Sequence, residues 1–135
     1  MWEHFAHQSD IGIRASAESL GGAFEDAAIG LTAIVTEPSL VTPAQSVSIE
    51  CLGEDEEDLF FKWMSKIIFE MDVRKMLFGK YEVKINGLKL SAVAFGEKVN
   101  FEKHSPVVEP KAVTLNQLCV KKENGKWIVQ CVVDV

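Results

Sequence analysis

Residues 118–135 read LCVKKENGKWIVQCVVDV, in which Asn124-Gly125 separates two runs that contain apolar and β-branched side chains. Asn-Gly between such runs is the strongest short signal for a β-hairpin with a two-residue loop. That loop pairs Glu123 with Lys126, and this pairing fixes the register of both strands. The C-terminal segment is therefore predicted to be a β-strand paired with the strand before it.

The last strand has one apolar face, formed by Trp127, Val129 and Val133. Side chains alternate between the two faces of a strand, so Asp134 falls on the opposite face, and the predicted register places it level with Leu115. A strand with a buried face is docked on the protein rather than frayed. We therefore expect the end of the chain to be held in a fixed place.

A second hairpin is predicted at Asn86-Gly87 by the same signal. A two-residue loop there assembles one apolar face from three pairs, which are Ile85 with Leu88, Val83 with Leu90, and Tyr81 with Ala92.

Two amphipathic helices precede the hairpins. Apolar residues recur at helical spacing from Ser16 to about Val35, and Glu37-Pro38 ends this helix. A second helix opens at the acidic run 54–58 and reaches roughly Met76. Five acids at this place are typical of helix capping and of a favourable interaction with the helix dipole; a metal-binding or partner-binding patch is the alternative.

Short strands at 2–6, 11–15 and 47–52 complete the order ββ-α-β-α-ββ-ββ, and residues 96–110 are predicted to be a polar loop. Two helices with one apolar face each, packed on a largely antiparallel β-sheet, indicate an α+β fold, a two-layer sandwich. No linker divides the chain, so residues 1–135 are predicted to form one domain.

The composition excludes several classes of function. A net charge of −6 argues against a broad basic surface for nucleic acid. No apolar run approaches the ~20 residues of a membrane span, and the N-terminus lacks a basic segment followed by a hydrophobic one, so we expect a cytoplasmic protein. There is no glycine-rich phosphate loop. Cys51, Cys119 and Cys131 have no metal-binding spacing, and we expect reduced thiols.

Three carboxylates stand out near the two ends of the chain. Asp134 and the terminal carboxylate of Val135 are adjacent, and Asp10 lies in the turn of His7-Gln8-Ser9-Asp10-Ile11-Gly12. If the fold brings them together, they repel one another unless a cation or a proton sits among them. Oxygen ligands alone select Ca²⁺ or Mg²⁺, and also Mn²⁺, over Zn²⁺.

Each acid also has a simpler interpretation. Asp is common in turns because it hydrogen-bonds its own backbone, which would explain Asp10, and an acid next to the chain end, such as Asp134, usually lies in solvent. A catalytic reading needs a general base near Asp10, and His7 is the only candidate.

Several segments resemble the archease family. His7–Ile13 is similar to the family's opening HTADIGI, and Gly96-Glu97 followed by Lys111–Thr114 is similar to its GE…KAVTYH segment. The end of the chain, 127–135, resembles the family's W…VxxDI/V. Two departures are visible, because Gln8-Ser9 stands in place of Thr-Ala, and Leu115-Asn116 in place of Tyr-His.

The resemblance implies a function. Archeases are non-catalytic activators of the tRNA-splicing RNA ligase that joins 2′,3′-cyclic or 3′-phosphate ends to 5′-hydroxyl ends, and they promote its guanylylation and its multiple turnover. The family's metal site carries over to Asp10, Asp134 and Val135, with Ca²⁺ expected first and Mg²⁺ or Mn²⁺ as alternatives. Lys111 matches a family lysine that would contact the ligase or a nucleotide phosphate.

We therefore expect a protein partner, the ligase, and no enzymatic activity, no high-affinity nucleic-acid binding and no membrane association. Two other hypotheses remain open from the residues. One is a small metal-dependent hydrolase acting on a phosphorylated substrate, and the other is a chaperone-like protein-binding module.

Overall fold

The structure is a computed structural model that describes residues 1–135. Seven strands and two long helices occur in the predicted order, and one helical turn lies within the segment predicted to be a polar loop. They are β1 (Trp2–His7), β2 (Asp10–Ala17), α1 (Leu20–Val35), β3 (Gln45–Leu52), α2 (Glu56–Arg74), β4 (Met76–Asn86), β5 (Lys89–Lys98), α3 (Phe101–His104), β6 (Ala112–Glu123) and β7 (Lys126–Asp134). A 3₁₀ turn, Pro38–Leu40, lies between α1 and β3.

The strands form two separate antiparallel sheets. One has four strands in the order β1-β2-β7-β6, and the other has three in the order β3-β5-β4. α1 packs against β2 and β4, and α2 packs against β6 and β3, so each helix contacts both sheets. The predicted α+β sandwich with antiparallel strands is confirmed, and the division of the strands into two sheets is the feature that the sequence did not predict.

One contiguous core joins the helices to both sheets. The largest of its fully buried side chains come from all layers, and they are Trp63, Phe24, Phe60, Phe78, Ile13 and Leu31. Trp63 donates its indole N–H to the carbonyl of Phe24, at 3.1 Å, so the buried ring leaves no polar atom unpaired. This link ties α2 to α1.

The first helix begins later than predicted. Strand β2 continues to Ala17, which pairs with Trp127, and α1 starts at Leu20 rather than near Ser16. Ser19 is the N-cap, because its hydroxyl accepts a hydrogen bond from the backbone N–H of Gly22 at 3.0 Å. Ser16 and Ser19 are equally good capping residues in sequence, and the pairing of β2 with β7 decides between them.

The hairpin between β4 and β5 has a loop at Gly87-Leu88 rather than at Asn86-Gly87. Ladder pairs join Ile85 to Leu90 and Asn86 to Lys89, so the predicted partners were wrong by two residues. Gly87 has φ +63°, and a positive φ at the first loop position is what a type II′ turn requires. A shift of two residues keeps every side chain on its predicted face, so the apolar face survives the correction.

The C-terminal hairpin has the predicted loop but a bulge farther along. Glu123 pairs with Lys126 and Val120 with Val129, as predicted. Between the pairs Cys119–Gln130 and Thr114–Val132, β6 then advances five residues while β7 advances two. The three extra residues of β6 shift the register.

As a result Asp134 lies level with Ala112, and the prediction of Leu115 was wrong. Gln117, with φ +55°, provides the sharp bend of this bulge, and its carbonyl accepts a hydrogen bond from the Gln130 side chain at 2.9 Å. Leu115 is 73% exposed on the bulge.

All three cysteines are free thiols, as predicted. Cys51 and Cys131 are buried, and Cys119 is half-buried on β6. Burial raises the pKa of the Cys131 thiol to about 12. No helix has the length and apolar character needed to cross a membrane.

Candidate metal centre

Strand pairing brings the two ends of the chain together. Ile11 pairs with Val133, so Asp10, one residue before, and Asp134, one residue after, lie side by side at the ends of neighbouring strands. Both side chains point to the outer face of the four-stranded sheet, opposite the buried Val133. Cβ atoms of directly opposed residues lie about 4.5–5.5 Å apart. The predicted proximity of Asp10 and Asp134 therefore follows from the register.

The same row of the outer face continues to both sides. His7 pairs with Asp10 across the turn that joins β1 to β2, and Ala112 pairs with Asp134 on the other side. We call the residues His7, Asp10, Asp134 and Ala112 the acid row. Neither of its aspartates takes part in an ion pair.

The end of β7 is fixed in place. Val135 is half-buried and packs against the hydrophobic core, and the backbone N–H of Lys111 donates to the carbonyl of Asp134 at 2.8 Å. The main chain beyond Asp134 is therefore held beside the acid row. An oxygen of Val135 is the third donor that the sequence predicted, after the two aspartates.

A second row separates the acids from Arg14, a cation on the same face of the sheet. The ring of Phe5 lies over Gly12, where a Cβ atom would be only 2.2 Å from the ring's Cζ. The Arg14 guanidinium lies 4.9 Å from the centre of the Phe5 ring, and it donates to Glu3 at 2.8 Å and to the Gln130 side chain at 2.8 Å. Arg14 thus bonds to residues of its own row and does not neutralise the acid row.

The donors at the acid row are oxygens of Asp10, Asp134 and Val135. No three His, Cys, Asp or Glu side chains converge tightly enough to hold an ion by themselves. Two carboxylates from neighbouring strands and an oxygen of Val135 form a set suited to a hard divalent ion. In addition, Nδ1 of His7 is buried and has no hydrogen-bond partner. Such orphaned atoms are rare in proteins, and this one belongs to the residue paired with Asp10.

Lys111 lies on the rim of a groove of about 480 Å³ between α2 and residues 109–113, where Phe61, Ile68 and Phe69 supply apolar walls. The groove adjoins a cavity of about 550 Å³, and both are lined by Ile68, Asp72, Glu109 and Pro110. Neither is lined by the aspartates of the acid row. Ala112 belongs to the acid row and also lines the groove, so the two features are continuous.

Glu97, part of the Gly-Glu motif, accepts several hydrogen bonds that hold neighbouring segments together. One of its carboxylate oxygens accepts hydrogen bonds from Lys103 Nζ at 2.6 Å, from the backbone N–H of Thr42 at 2.9 Å and from His104 Nε2 at 2.9 Å. Lys103, with help from Thr42 and His104, lowers the pKa of Glu97 to about 2. These bonds fasten the segment after β5 to the turn at Thr42.

His104 is completely buried, and its Nδ1 accepts the backbone N–H of Asn100 at 2.9 Å, so Nε2 carries the proton that is donated to Glu97. The sequence placed His104 in a polar loop and gave it no role. A Glu and a His seven residues apart in a segment without periodicity carry no signal of their contact. The Gly-Glu motif was the only signal available here.

These features define a class: a small α+β sandwich that presents acidic donors suited to a divalent cation on an outer sheet face, next to an apolar groove. The family model described as the Archease protein family (MTH1598/TM1083) matches residues 2–135. The chain belongs to the archease family, which confirms the resemblance seen in its motifs.

Relatives match along nearly the whole length. "Protein archease" of Pyrococcus abyssi is 37% identical over 139 aligned positions, covering 99% of this chain and 98% of the relative. "Protein archease" of Sulfolobus acidocaldarius is 37% identical, with the same coverage.

Two solved structures are similar. Protein 1598 of Methanobacterium thermoautotrophicum has a TM-score of 0.88 at 32% identity, covering 99% of this chain and 98% of its own. An archease from Thermotoga maritima, described as a possible chaperone, has a TM-score of 0.67 at 18% identity, covering 97% and 94%, and this likeness concerns the fold alone.

Proposed function

We propose that the protein is a non-catalytic activator of a 3′-phosphate RNA ligase of the tRNA-splicing type and that it acts in the cytoplasm. It would promote guanylylation of the ligase and multiple turnover through a divalent cation held by Asp10, Asp134 and Val135. The observation that carries this proposal is the acid row, in which two carboxylates from neighbouring strands lie side by side without an ion pair.

The charge on the acid row supports a role in nucleotidyl transfer. A divalent cation neutralises phosphate charge in such reactions, and oxygen donors alone favour Ca²⁺, with Mg²⁺ or Mn²⁺ as the other candidates. Lys111 would contact the ligase or a nucleotide phosphate, because its backbone bonds to Asp134 and its side chain is exposed beside the acid row.

The apolar groove supports a protein partner. Phe69 lines the groove and is 58% exposed, and Phe101 lines the adjoining cavity and is 77% exposed. Apolar surface of this kind marks protein contacts more often than RNA contacts, which need basic residues. Because the groove is continuous with the acid row at Ala112, one bound ligase could cover both.

The test combines the purified protein with a 3′-phosphate RNA ligase, GTP and a 3′-phosphate RNA substrate. Guanylylated ligase and joined product are followed over many turnovers. We expect stimulation by the wild type and its loss, by about tenfold or more, in Asp10→Asn and Asp134→Asn, since even outer partners of metal ligands matter to this extent. Glu50→Gln is the matched control, because it removes one exposed carboxylate from the other sheet.

Unchanged turnover with the wild type would disprove the activator proposal. Full stimulation by both aspartate variants would disprove the role of the cation while leaving an activator. Release of phosphate by this protein alone would support the hydrolase hypothesis instead. Equal stimulation of an unrelated, heat-labile enzyme would support the chaperone-like hypothesis.

A further inference from the structure

The groove beside Lys111 and the cavity that adjoins it form one continuous depression, which we call the α2 trough. One of its walls is α2, from Phe61 to Lys75. A helix rises about 1.5 Å per residue, so this wall is roughly 21 Å long, which is the length of about six residues of extended chain. Phe69 and Phe101 line the trough and are mostly exposed, so it is open to a short segment of another chain.

The facing wall, residues 106–111, has free main-chain groups. This segment belongs to no helix or strand, and the N–H groups of Val107 and Lys111 tie down its ends by donating to main-chain carbonyls at 3.0 and 2.8 Å. Between these bonds, the N–H and C=O groups of Val108 and Glu109 bond to nothing else in the protein. Unpaired main chain of this kind can pair with an extended peptide, whereas a helix has no main-chain groups to offer in return.

Charges along the trough are arranged in order. Asp72 of α2 and Glu109 of the facing wall line both the groove and the cavity, so they lie where the two join, whereas Lys75 lines only the cavity and Lys111 only the groove. Glu109 has no ion pair, and Asp72 has only a contact of 3.5 Å with Lys75, in which both side chains are mostly exposed. The two carboxylates therefore favour a positive side chain at the middle of the trough.

Apolar walls lie on both sides of these acids. Phe61 and Phe69 line the groove, and Met71 and Phe101 line the cavity. Alternate side chains of an extended chain point the same way, about 6.6 Å apart. A segment that fits the trough therefore has one apolar residue, then a basic residue two positions on, and a second apolar residue two positions beyond that.

We infer that the α2 trough binds an extended segment of the partner ligase in which a lysine or an arginine stands between two apolar residues, each two positions away. This inference rests on the proposed function, which supplies the ligase as the partner. The basic side chain lies between Asp72 and Glu109, and the main chain of the segment pairs with Val108 and Glu109. The net charge of −6 favours the approach of a basic segment.

A synthetic peptide tests the trough apart from the ligase. The probe has six residues, with leucine, arginine and phenylalanine at its first, third and fifth positions and serine at the others. The full-length ¹⁵N-labelled protein is titrated with it, and NMR records the backbone amide shifts. We expect shifts along both walls, 61–75 and 106–113. A second peptide, with glutamate in place of arginine, should bind about fivefold more weakly or worse.

Phe69→Ser and Val73→Ser form a matched pair of variants. The two side chains are similarly exposed on α2, at 58% and 54%, but only Phe69 lines the trough. We expect Phe69→Ser to weaken binding of the arginine peptide and of the ligase by about tenfold, and Val73→Ser to leave both unchanged.

Glu109→Lys tests the charge at the middle of the trough. We expect this variant to bind the glutamate peptide more tightly than the arginine peptide. A merely structural role of Glu109 would weaken both peptides alike, so a reversed preference identifies a direct contact. The arginine peptide should also compete with the ligase for the wild-type protein.

The outcomes separate this inference from the activator proposal. Stimulation of the ligase that survives both Phe69→Ser and an excess of peptide would overturn the trough as the ligase contact and leave the activator standing. Equal binding of the two peptides, or no shifts in the walls at millimolar peptide, would overturn it as well. A dimer that dissociates in Phe69→Ser would make a second copy of the chain the occupant instead. Peptide binding by a protein that does not stimulate the ligase would overturn the activator proposal and leave the preference of the trough for an extended basic segment.

Discussion

Glu97 shows how much one carboxylate oxygen can hold together. It accepts hydrogen bonds from Lys103, Thr42 and His104, which come from two places: the helical turn α3 after β5, and the turn at Thr42 before β3. Thr36 adds to this by donating its hydroxyl to the carbonyl of His104. The contacts explain the Gly-Glu motif without any chemistry at the acid, because the ionised carboxylate is the common acceptor.

Stability should depend on pH through Glu97. Its pKa in the folded protein, about 2, is below the ordinary value of 4.5, so its stabilising effect is complete above about pH 4.5 and is lost as the pH falls toward 2. We expect Glu97→Gln to lower Tm at pH 7 and the difference from wild type to vanish near pH 2. Thermal unfolding between pH 2 and 7 measures this. Glu102→Gln, on the exposed face of α3, should show no such trend.

Gly12 is required by a close approach rather than by its backbone angles. A methyl group there would meet the ring of Phe5, so Gly12→Ala must push the ring away from its contact with Arg14. We expect a loss of about 1–3 kcal/mol in the free energy of unfolding, as for other overpacked sites.

The loss of stability in Gly12→Ala should depend on the Phe5 ring. In a Phe5→Ala background the same glycine substitution should cost clearly less, which a double-mutant cycle in denaturant would show. Equal costs in both backgrounds would mean that the ring is not what excludes a side chain at Gly12.

Among the elements, β6 differs most from expectation. Its bulge lets the strand pair with β7 at both ends although it carries three extra residues between the two paired segments. The correction matters for the site, because it replaces Leu115 by Ala112 beside Asp134 and so brings Lys111 next to the acid row. Leu115-Asn116, where the chain departs from the family motif, lies on this bulge.

A variant that lacks residues 115–117 tests whether the bulge is needed for folding or for function. Thr114 and Leu118 become neighbours, and the pairs Thr114–Val132 and Cys119–Gln130 both keep their register. We expect a folded protein with cation binding retained and stimulation of the ligase reduced, since bulges are more often functional features than defects. Circular dichroism, metal titration and the turnover assay measure the three properties. A protein unfolded by this deletion would contradict our description of the bulge as additional to the ladder.

The order of the elements was predictable because it depends on local signals. Alternation and Asn-Gly turns fixed the strands, and helical spacing fixed α1 and α2. Three details were not predictable from these local signals. The start of α1 depends on the pairing of Ala17 with Trp127. The alternation of β6 breaks at Asn116-Gln117, but this break does not show how many residues the strand inserts before it pairs with β7 again. The loop at Gly87-Leu88 differs from its alternative only by a shift that leaves both faces unchanged.

The candidate site was likewise predictable only in part. The approach of Asp10 to Asp134 was predictable, because a docked last strand has to find a neighbour and both acids sit at strand ends. The unpaired Nδ1 of His7 was not predictable, since burial of a single atom depends on side-chain packing. The contact of Glu97 with His104 also required the folded chain.

At the scale of the whole molecule, two surfaces meet. The acid row lies on the outer face of the four-stranded sheet, and the groove runs between α2 and the segment that leads into β6. Ala112 belongs to both, so a partner that reaches the acid row would also reach the groove. The sandwich holds the surfaces in a fixed relation because α2 packs on β6 and on the other sheet.

The position of the terminal oxygen can be changed without loss of packing. A single glycine added after Val135 keeps the valine side chain on the core but moves the terminal carboxylate. We expect cation affinity to fall by about tenfold or more while Tm stays the same. Deletion of Val135 should lower both, because it also removes a half-buried side chain. Metal titration and thermal unfolding distinguish the two variants, and unchanged affinity in the extended chain would assign the contact to another oxygen.

The cysteine thiols differ in how fast an alkylating reagent can reach them. Cys131 is fully buried in the middle of β7, and its raised pKa keeps it protonated, so an alkylating reagent reaches it only after the strand has left the sheet. Cys119, half-buried on the edge strand, is open to attack in the intact fold. The labelling rate of Cys131, measured on its own peptide because Cys51 is buried as well, thus reports how often the strand that carries Asp134 detaches, and a bound ion or a bound ligase would lower this rate.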